Sequence, residues 1–415
     1  MKGPSGFTLI LIGTGIAGLA GYVTTWLVPR IIGVAEYTEY AIFWSSLYLV
    51  VGALAGIQQE VTRATSATPD PRLAEGHRIA RLALVIALTV FGIIVISAVL
   101  WGRFVFPDNP AGLVWPLAVG TAAYSLVAVV GGSLYGISEW RPIFALLTTD
   151  GLLRLVLVGV TLALSGGVVA LAWAVVAPFP IALLVLAPWV WPRLRGRTRM
   201  DVGYTRLLWN VARTIVAAAA MGLMVSGFPL VLGVTSPGAP SGALGLLILS
   251  ITLIRAPLIV IVMSMQAFVV VFLRDRMPIF WWSFARIELL ILGAGLILAA
   301  LGWVAGPFVF GILFPGESTP DGWLIALLVV SSALVAGLSA AGAATLARNA
   351  HSVYSTGWIV AALSTVVALL LPLDLVTRSV TALLVGPAAG LVLYLVFFIR
   401  ARRSPPVDAK DSAIA

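Results

Sequence analysis

Residues 82–102 read LALVIALTVFGIIVISAVLWG, bounded by Arg81 and Arg103. The run carries no charge, and as a helix it reaches about 30 Å, the hydrocarbon thickness of a bilayer. In lipid the backbone must satisfy its own hydrogen bonds, so the stretch reads as a membrane helix. Similar charge-free runs recur at Gly3–Pro29, Asn109–Ser138, Leu289–Gly316, Gly322–Ala347 and Ser379–Ile399. Two more are too long for one span. Leu155–Pro192 breaks at Ser165-Gly166-Gly167, and Thr214–Ile254 breaks at Ser236-Pro237-Gly238-Ala239-Pro240-Ser241, both turn signals. The expected spans are 7–29, 40–62, 80–101, 112–135, 143–164, 168–191, 206–233, 242–272, 287–310, 322–347, 354–373 and 378–399.

Composition agrees. Of 415 residues, 61% are hydrophobic and 10% charged, with mean hydropathy +1.09. A soluble domain carries about 25% charged residues, so lipid is the fitting solvent here. The fold class is all-α, a polytopic membrane protein of about twelve helices.

Charge gives the orientation. With the N-terminus inside and segments alternating, the inside segments hold 19 Lys and Arg and the outside segments hold three, Arg30, Arg103 and Arg378. That bias follows the positive-inside rule and places both termini in the cytoplasm, with the chain in the cytoplasmic membrane. The net charge of +9 is thereby a topology signal spread over short loops, not a nucleic-acid surface. Lys2 and its apolar run resemble a signal peptide, but the run is long enough to span. The most basic loop, Pro192–Arg206, lies near the midpoint. It divides the chain into six-helix lobes at 1–200 and 201–402, followed by a polar tail at 403–415 expected to be disordered.

Several chemistries are disfavoured. There is no cysteine, and the only lysines are Lys2 and Lys410, so no phosphate loop carries its lysine. His77 and His351 fall in different loops, so no metal or other cofactor is expected. Glu36 and Glu39 occupy the place where membrane glycosyltransferases carry acidic groups. The simpler reading is a solvated turn flanked by Tyr37 and Tyr40 as interface anchors.

Polar groups within spans say more, because a charge at membrane depth faces a cavity or a partner. Asp150 and Arg154 are one turn apart and read as an ion pair, or as an ion-coupling site together with Glu60. Arg255 lies near the middle of the eighth span with no acidic neighbour in sequence. Thr252, Arg255 and Gln266 share a helical stripe bent by Pro257. Arg213 lies in the seventh span, Gln59 and Arg63 close the second, and Arg30 ends the first. Arg255, Arg213, Gln59, Gln266, Arg63 and Arg30 are the candidate cavity residues. Arginines lining a cleft between lobes suit an anionic head group, since guanidinium binds phosphate through a planar fork.

Two stretches carry a family resemblance. Ile31-Ile32-Gly33-Val34-Ala35-Glu36-Tyr37-Thr38-Glu39-Tyr40-Ala41 resembles the hairpin after the first helix of the MOP exporter superfamily, with Thr38 in place of a glycine. Arg255-Ala256-Pro257 and Gln266 are similar to its eighth helix, though the proline often found after that glutamine is absent. The resemblance is to the polysaccharide-transporter branch, the Wzx-like lipid-linked oligosaccharide flippases. It implies a non-enzymatic flippase working by alternating access, with helices one, two, seven and eight around the cavity. Its implied partners are an anionic lipid-linked saccharide, membrane lipids and polysaccharide assembly enzymes. By the same resemblance Arg255, Arg213 and Gln59 take cavity roles. A multidrug or other lipid exporter of the superfamily is the alternative, in which Asp150, Glu60 or Glu288 would bind a cation. A membrane glycosyltransferase is the third reading.

Overall fold

Gly33, at φ +81°, turns the chain within one residue from α1 (Gly6–Ile32) into α2 (Val34–Ala64). That left-handed conformation is open to glycine and strained for residues with a Cβ. The turn corrects the sequence reading, which opened the second span at residue 40. Glu36 and Glu39 lie in the first turns of a helix, not on a solvated loop. Tyr37 and Tyr40 are buried core residues, not interface anchors, because the early helix start swings both rings inward.

The computed structural model describes residues 6–68, 76–200 and 204–403. The tail beyond Arg403 therefore lies outside the described residues. Twelve helices among them are long and apolar enough to cross a membrane. α3 (Gly76–Val105) leads to α4 (Pro110–Gly136), which Asn109 caps by accepting the Gly112 N–H at 2.9 Å, with Pro110 at the first helical position. α5 (Trp140–Ala163) follows. The sixth span is interrupted between α6 (Val168–Val176) and α7 (Pro178–Arg197), where Pro178 and Pro180 lack the N–H groups a continuous ladder needs. The seventh comprises α8 (Tyr204–Gly222), a π-helical turn at Leu223–Gly227 and α9 (Phe228–Val234). α10 (Ser241–Arg274), α11 (Phe280–Leu313), α12 (Gly322–Ala347), α13 (His351–Leu369) and α14 (Leu375–Arg403) complete the chain. Asp374 caps α14 by accepting the Thr377 N–H at 3.0 Å, which holds its carboxyl below the usual carboxylate range.

Two short strands were not expected. β1 (Thr65–Ala67) pairs antiparallel with β2 (Thr198–Met200), Ser66 facing Arg199. Part of the midpoint basic loop is thus a strand tied to the end of α2. Loops here, at the arginine-rich end of the bundle, lie opposite the end formed by Gly33, Thr235–Pro240 and Leu370–Asp374.

The two halves of the sequence meet along α2, which packs on α8 and α10. Glycines allow the approach. A Cβ on Gly52 would lie 3.2 Å from the Gly222 Cα, and one on Gly56 would lie 3.1 Å from the Ile215 nitrogen. Next to this seam, the Ser45 hydroxyl donates to the Ser226 carbonyl at 2.6 Å and accepts the Leu230 N–H at 3.0 Å. An unbroken α-helix would join that carbonyl and that N–H directly. Ser45 therefore satisfies the two groups that the π-turn frees.

Candidate functional site

The spacing of Tyr37, Tyr40, Trp44 and Tyr48, three then four then four residues, puts all four rings on one face of α2. Successive ring centroids lie 6.1, 6.0 and 4.6 Å apart. They form one wall of a cavity of about 790 Å³. Facing them are Tyr22 and Thr25 of α1, Arg154 of α5, Ser226 and Phe228 at the π-turn, and Thr252 and Arg255 of α10. Among the described residues no Asp or Glu lines this aromatic cavity.

Its two arginines differ. Arg154, 7% exposed, donates from Nη2 to both Asp150 carboxylate oxygens, at 2.8 and 2.7 Å, and from Nε to the Val175 carbonyl at 3.3 Å. It also lies over the Phe179 and Tyr48 rings, at 5.1 and 5.8 Å. Its charge is neutralised as the one-turn spacing implied. Arg255 is 3% exposed, and its Nε and Nη2 have no hydrogen-bond partner among the described residues. A buried cation without a counter-charge is costly, so this is the less settled of the two arginines.

The remaining candidates do not share this cavity. Gln59, Glu60 and Gln266 line a separate pocket of about 670 Å³ toward the arginine-rich end, with Thr214, His351, Ser352, Tyr354 and Ser355. There the Gln266 amide donates to the Tyr354 hydroxyl at 3.3 Å. Thr252, Arg255 and Gln266 are thus divided between two chambers. The 11 residues from Arg255 to Gln266 span about 16 Å of helix, and the α2–α8 glycine seam lies between those levels. Arg63 is exposed and paired with Glu60 at 2.8 Å, which occupies the expected coupling acid. Arg30 donates to the Leu313 carbonyl at 2.8 Å and lies over the Trp26 ring at 5.3 Å, outside both chambers. These are corrections to the single arginine-lined cleft. Both residues sit at helix ends, where a long side chain reaches a nearer partner. The side chain of Arg213 lies outside the described residues.

The 3-4-4 spacing of the aromatic stripe is legible in the sequence, but the expectation of Tyr37 and Tyr40 as interface anchors hides it. Glu288, a cation ligand only under the multidrug alternative, lies on α11 and lines neither chamber.

No protein-family model matches the sequence. Uncharacterized protein Rv3630 of Mycobacterium tuberculosis is 32% identical over 402 residues, covering 94% of this chain and 91% of that protein. Uncharacterized protein Rv1510 of the same species is 30% identical over 391 residues, covering 93% and 90%. Among solved structures, the inward-facing conformation of a multidrug resistance MATE family transporter of the MOP superfamily superposes with TM-score 0.69 at 15% identity, covering 97% of this chain and 95% of that one. A MOP superfamily transporter from Pyrococcus furiosus Vc1, described as having a binding pocket of reverse polarity that suggests a different function, superposes with TM-score 0.65 at 15% identity over 97% and 98%. The chain belongs to one family with Rv3630 and Rv1510 of Mycobacterium tuberculosis, and it has the fold of the MATE transporters of the MOP superfamily.

Proposed function

We propose that the protein is a transporter of the flippase type, moving an anionic lipid-linked saccharide across the cytoplasmic membrane by alternating access. A polyprenyl-diphosphate-linked oligosaccharide has the required chemistry. The observation that carries this reading is Arg255, buried in the aromatic cavity with two guanidinium nitrogens unpartnered and no carboxylate among the described lining. A diphosphate would accept from the guanidinium fork, and the Tyr and Trp wall offers faces on which sugar rings or an apolar lipid segment pack. An exporter of cationic drugs would place a free acid where this cavity has a free cation. A solved structure of the same fold is described as having a binding pocket of reverse polarity that suggests a different function, which is compatible with this reading. The arginine-rich loops face the cytoplasm on this reading.

The test is movement of a fluorescent polyprenyl-diphosphate sugar in proteoliposomes holding the purified protein, with R255A alongside. Loss of a charge-assisted hydrogen bond costs about 1.5–3 kcal/mol, so R255A is expected to lower affinity about 10- to 150-fold while inserting normally. Export of a cationic amphiphile at equal rates by native protein and R255A would overturn the reading.

A further inference from the structure

Glu288 on α11 is, like Arg255, a buried charge-bearing side chain whose polar atoms lack partners among the described residues. It lies eight residues into α11, about 12 Å along the helix. It is 9% exposed, and neither carboxyl oxygen has a hydrogen-bond partner among the described residues. Its surroundings are apolar. Phe284, Leu338 and Leu391 belong to the core cluster of α11, α12 and α14. The room for the carboxyl is made by Gly337 of α12, where a Cβ would come within 2.8 Å of Glu288 Oε2.

The charged groups described on the surrounding helices are engaged elsewhere or distant. Residues 322–347 of α12 contain no ionisable side chain. Arg348, just beyond α12, lies over the Phe280 and Trp281 rings at 5.3 and 5.2 Å. Arg286 of α11 is exposed and lies over the Trp282 ring at 5.3 Å. On α14, Tyr394 donates to the Tyr354 carbonyl at 2.6 Å and Arg378 donates to Ser236 at 2.7 Å. Arg400 lies nine residues beyond Leu391. On α10, which packs on the other side of α12, Arg255 faces the aromatic cavity and Arg274 pairs with Asp275 at 3.5 Å. A metal ion would require several oxygen or nitrogen donors, and no group of three His, Cys, Asp or Glu residues is found among the described residues.

We propose that Glu288 is a proton-binding site, its carboxyl holding a proton while α11 is packed on α12 and releasing it only when the two helices part. An ionised carboxylate in this position would have neither a counter-ion nor a hydrogen-bond donor among the described residues, and desolvating it costs several kcal/mol. Parting α11 from α12 admits water to the carboxyl and removes that cost. The helix is suited to the movement. In their most apolar stretches α11 is 11% buried and α12 83% buried, and α11 rests chiefly on α12. Proton release and helix separation are then one linked equilibrium, whatever the aromatic cavity carries.

The experiment uses the full chain in lipid nanodiscs. Infrared spectra of the native protein, E288Q and E288M are compared at neutral pH for the carboxylic-acid C=O band. The chain has no cysteine, so A333C introduces a single thiol on the α12 face that meets Gly295 of α11. Its labelling rate is taken as the ratio between the Glu288 and E288M backgrounds, which cancels the thiol's own titration. E288M also guards against a misfolded Gln variant, since an apolar side chain of similar volume is expected to raise the melting temperature. The expected result is a carboxylic-acid band present in native protein and missing from both variants. Above the titration of Glu288, the labelling ratio should rise about tenfold per pH unit, the slope of one linked proton. Identical bands in all three proteins would overturn the proton site. A ratio flat across alkaline pH would overturn its link to α11–α12 packing.

Discussion

The aromatic cavity and the polar pocket are lined by opposite ends of the same helices. Residues 37–48 of α2 and 251–257 of α10 face the first, and Gln59, Glu60 and Gln266 of those helices face the second. The cavity offers ring faces and two arginines, one of them unneutralised. The pocket offers amides, hydroxyls, a histidine, and a glutamate already paired with Arg63. Free charge is therefore concentrated in one chamber, and neutral hydrogen bonding in the other. The lesson is electrostatic. A buried cation without a counter-charge is costly, and Arg154 shows what the same side chain looks like when the fold supplies the anion itself.

Breaking that pairing is expected to have the largest effect. D150A leaves Arg154 buried without its carboxylate and should lower stability by about 3–5 kcal/mol, read by thermal unfolding in detergent. An unchanged melting temperature would mean that the two arginines are not distinguished by Asp150. A smaller effect is expected at the seam between the chambers. In G52L the added side chain meets the Gly222 backbone, and overpacking of this kind costs about 1–3 kcal/mol. If the seam closes the passage, a cysteine at S226C in the cavity wall becomes labelled faster from the arginine-rich side in G52L than in the single variant. Equal rates would show that other contacts close it. The smallest effect belongs to Q266A, which removes one 3.3 Å hydrogen bond to Tyr354 and should cost less than about 1 kcal/mol of stability. Its affinity for a polyprenyl diphosphate should stay near native. A loss as large as that of R255A would make the two chambers one site.

The spans were legible because their signal is one-dimensional. A run such as residues 82–102 is apolar over a bilayer's thickness whatever packs against it, and α3 forms across it. The Asp150–Arg154 pair was legible for a similar reason, since both residues ride on one helix one turn apart. Gly33 misled the reading of α2 by six residues, because a single glycine at positive φ can replace the loop that an acidic, aromatic segment suggests.

The sequence by itself determined an all-α chain of about twelve membrane-length helices with most of its loop arginines on alternate connections, because hydrophobic length and loop charge need no partner to be read. Tertiary structure alone decided that Arg255 has two guanidinium nitrogens without a partner among the described residues, that Gln59 and Gln266 stand in a different chamber from it, and that Glu288 is enclosed against Gly337. Each of those facts depends on which helices become neighbours. α2 meets α8 and α10, and α11 meets α12, through side chains distant in sequence or spaced to fit a facing glycine, and no local pattern encodes what lies across the gap.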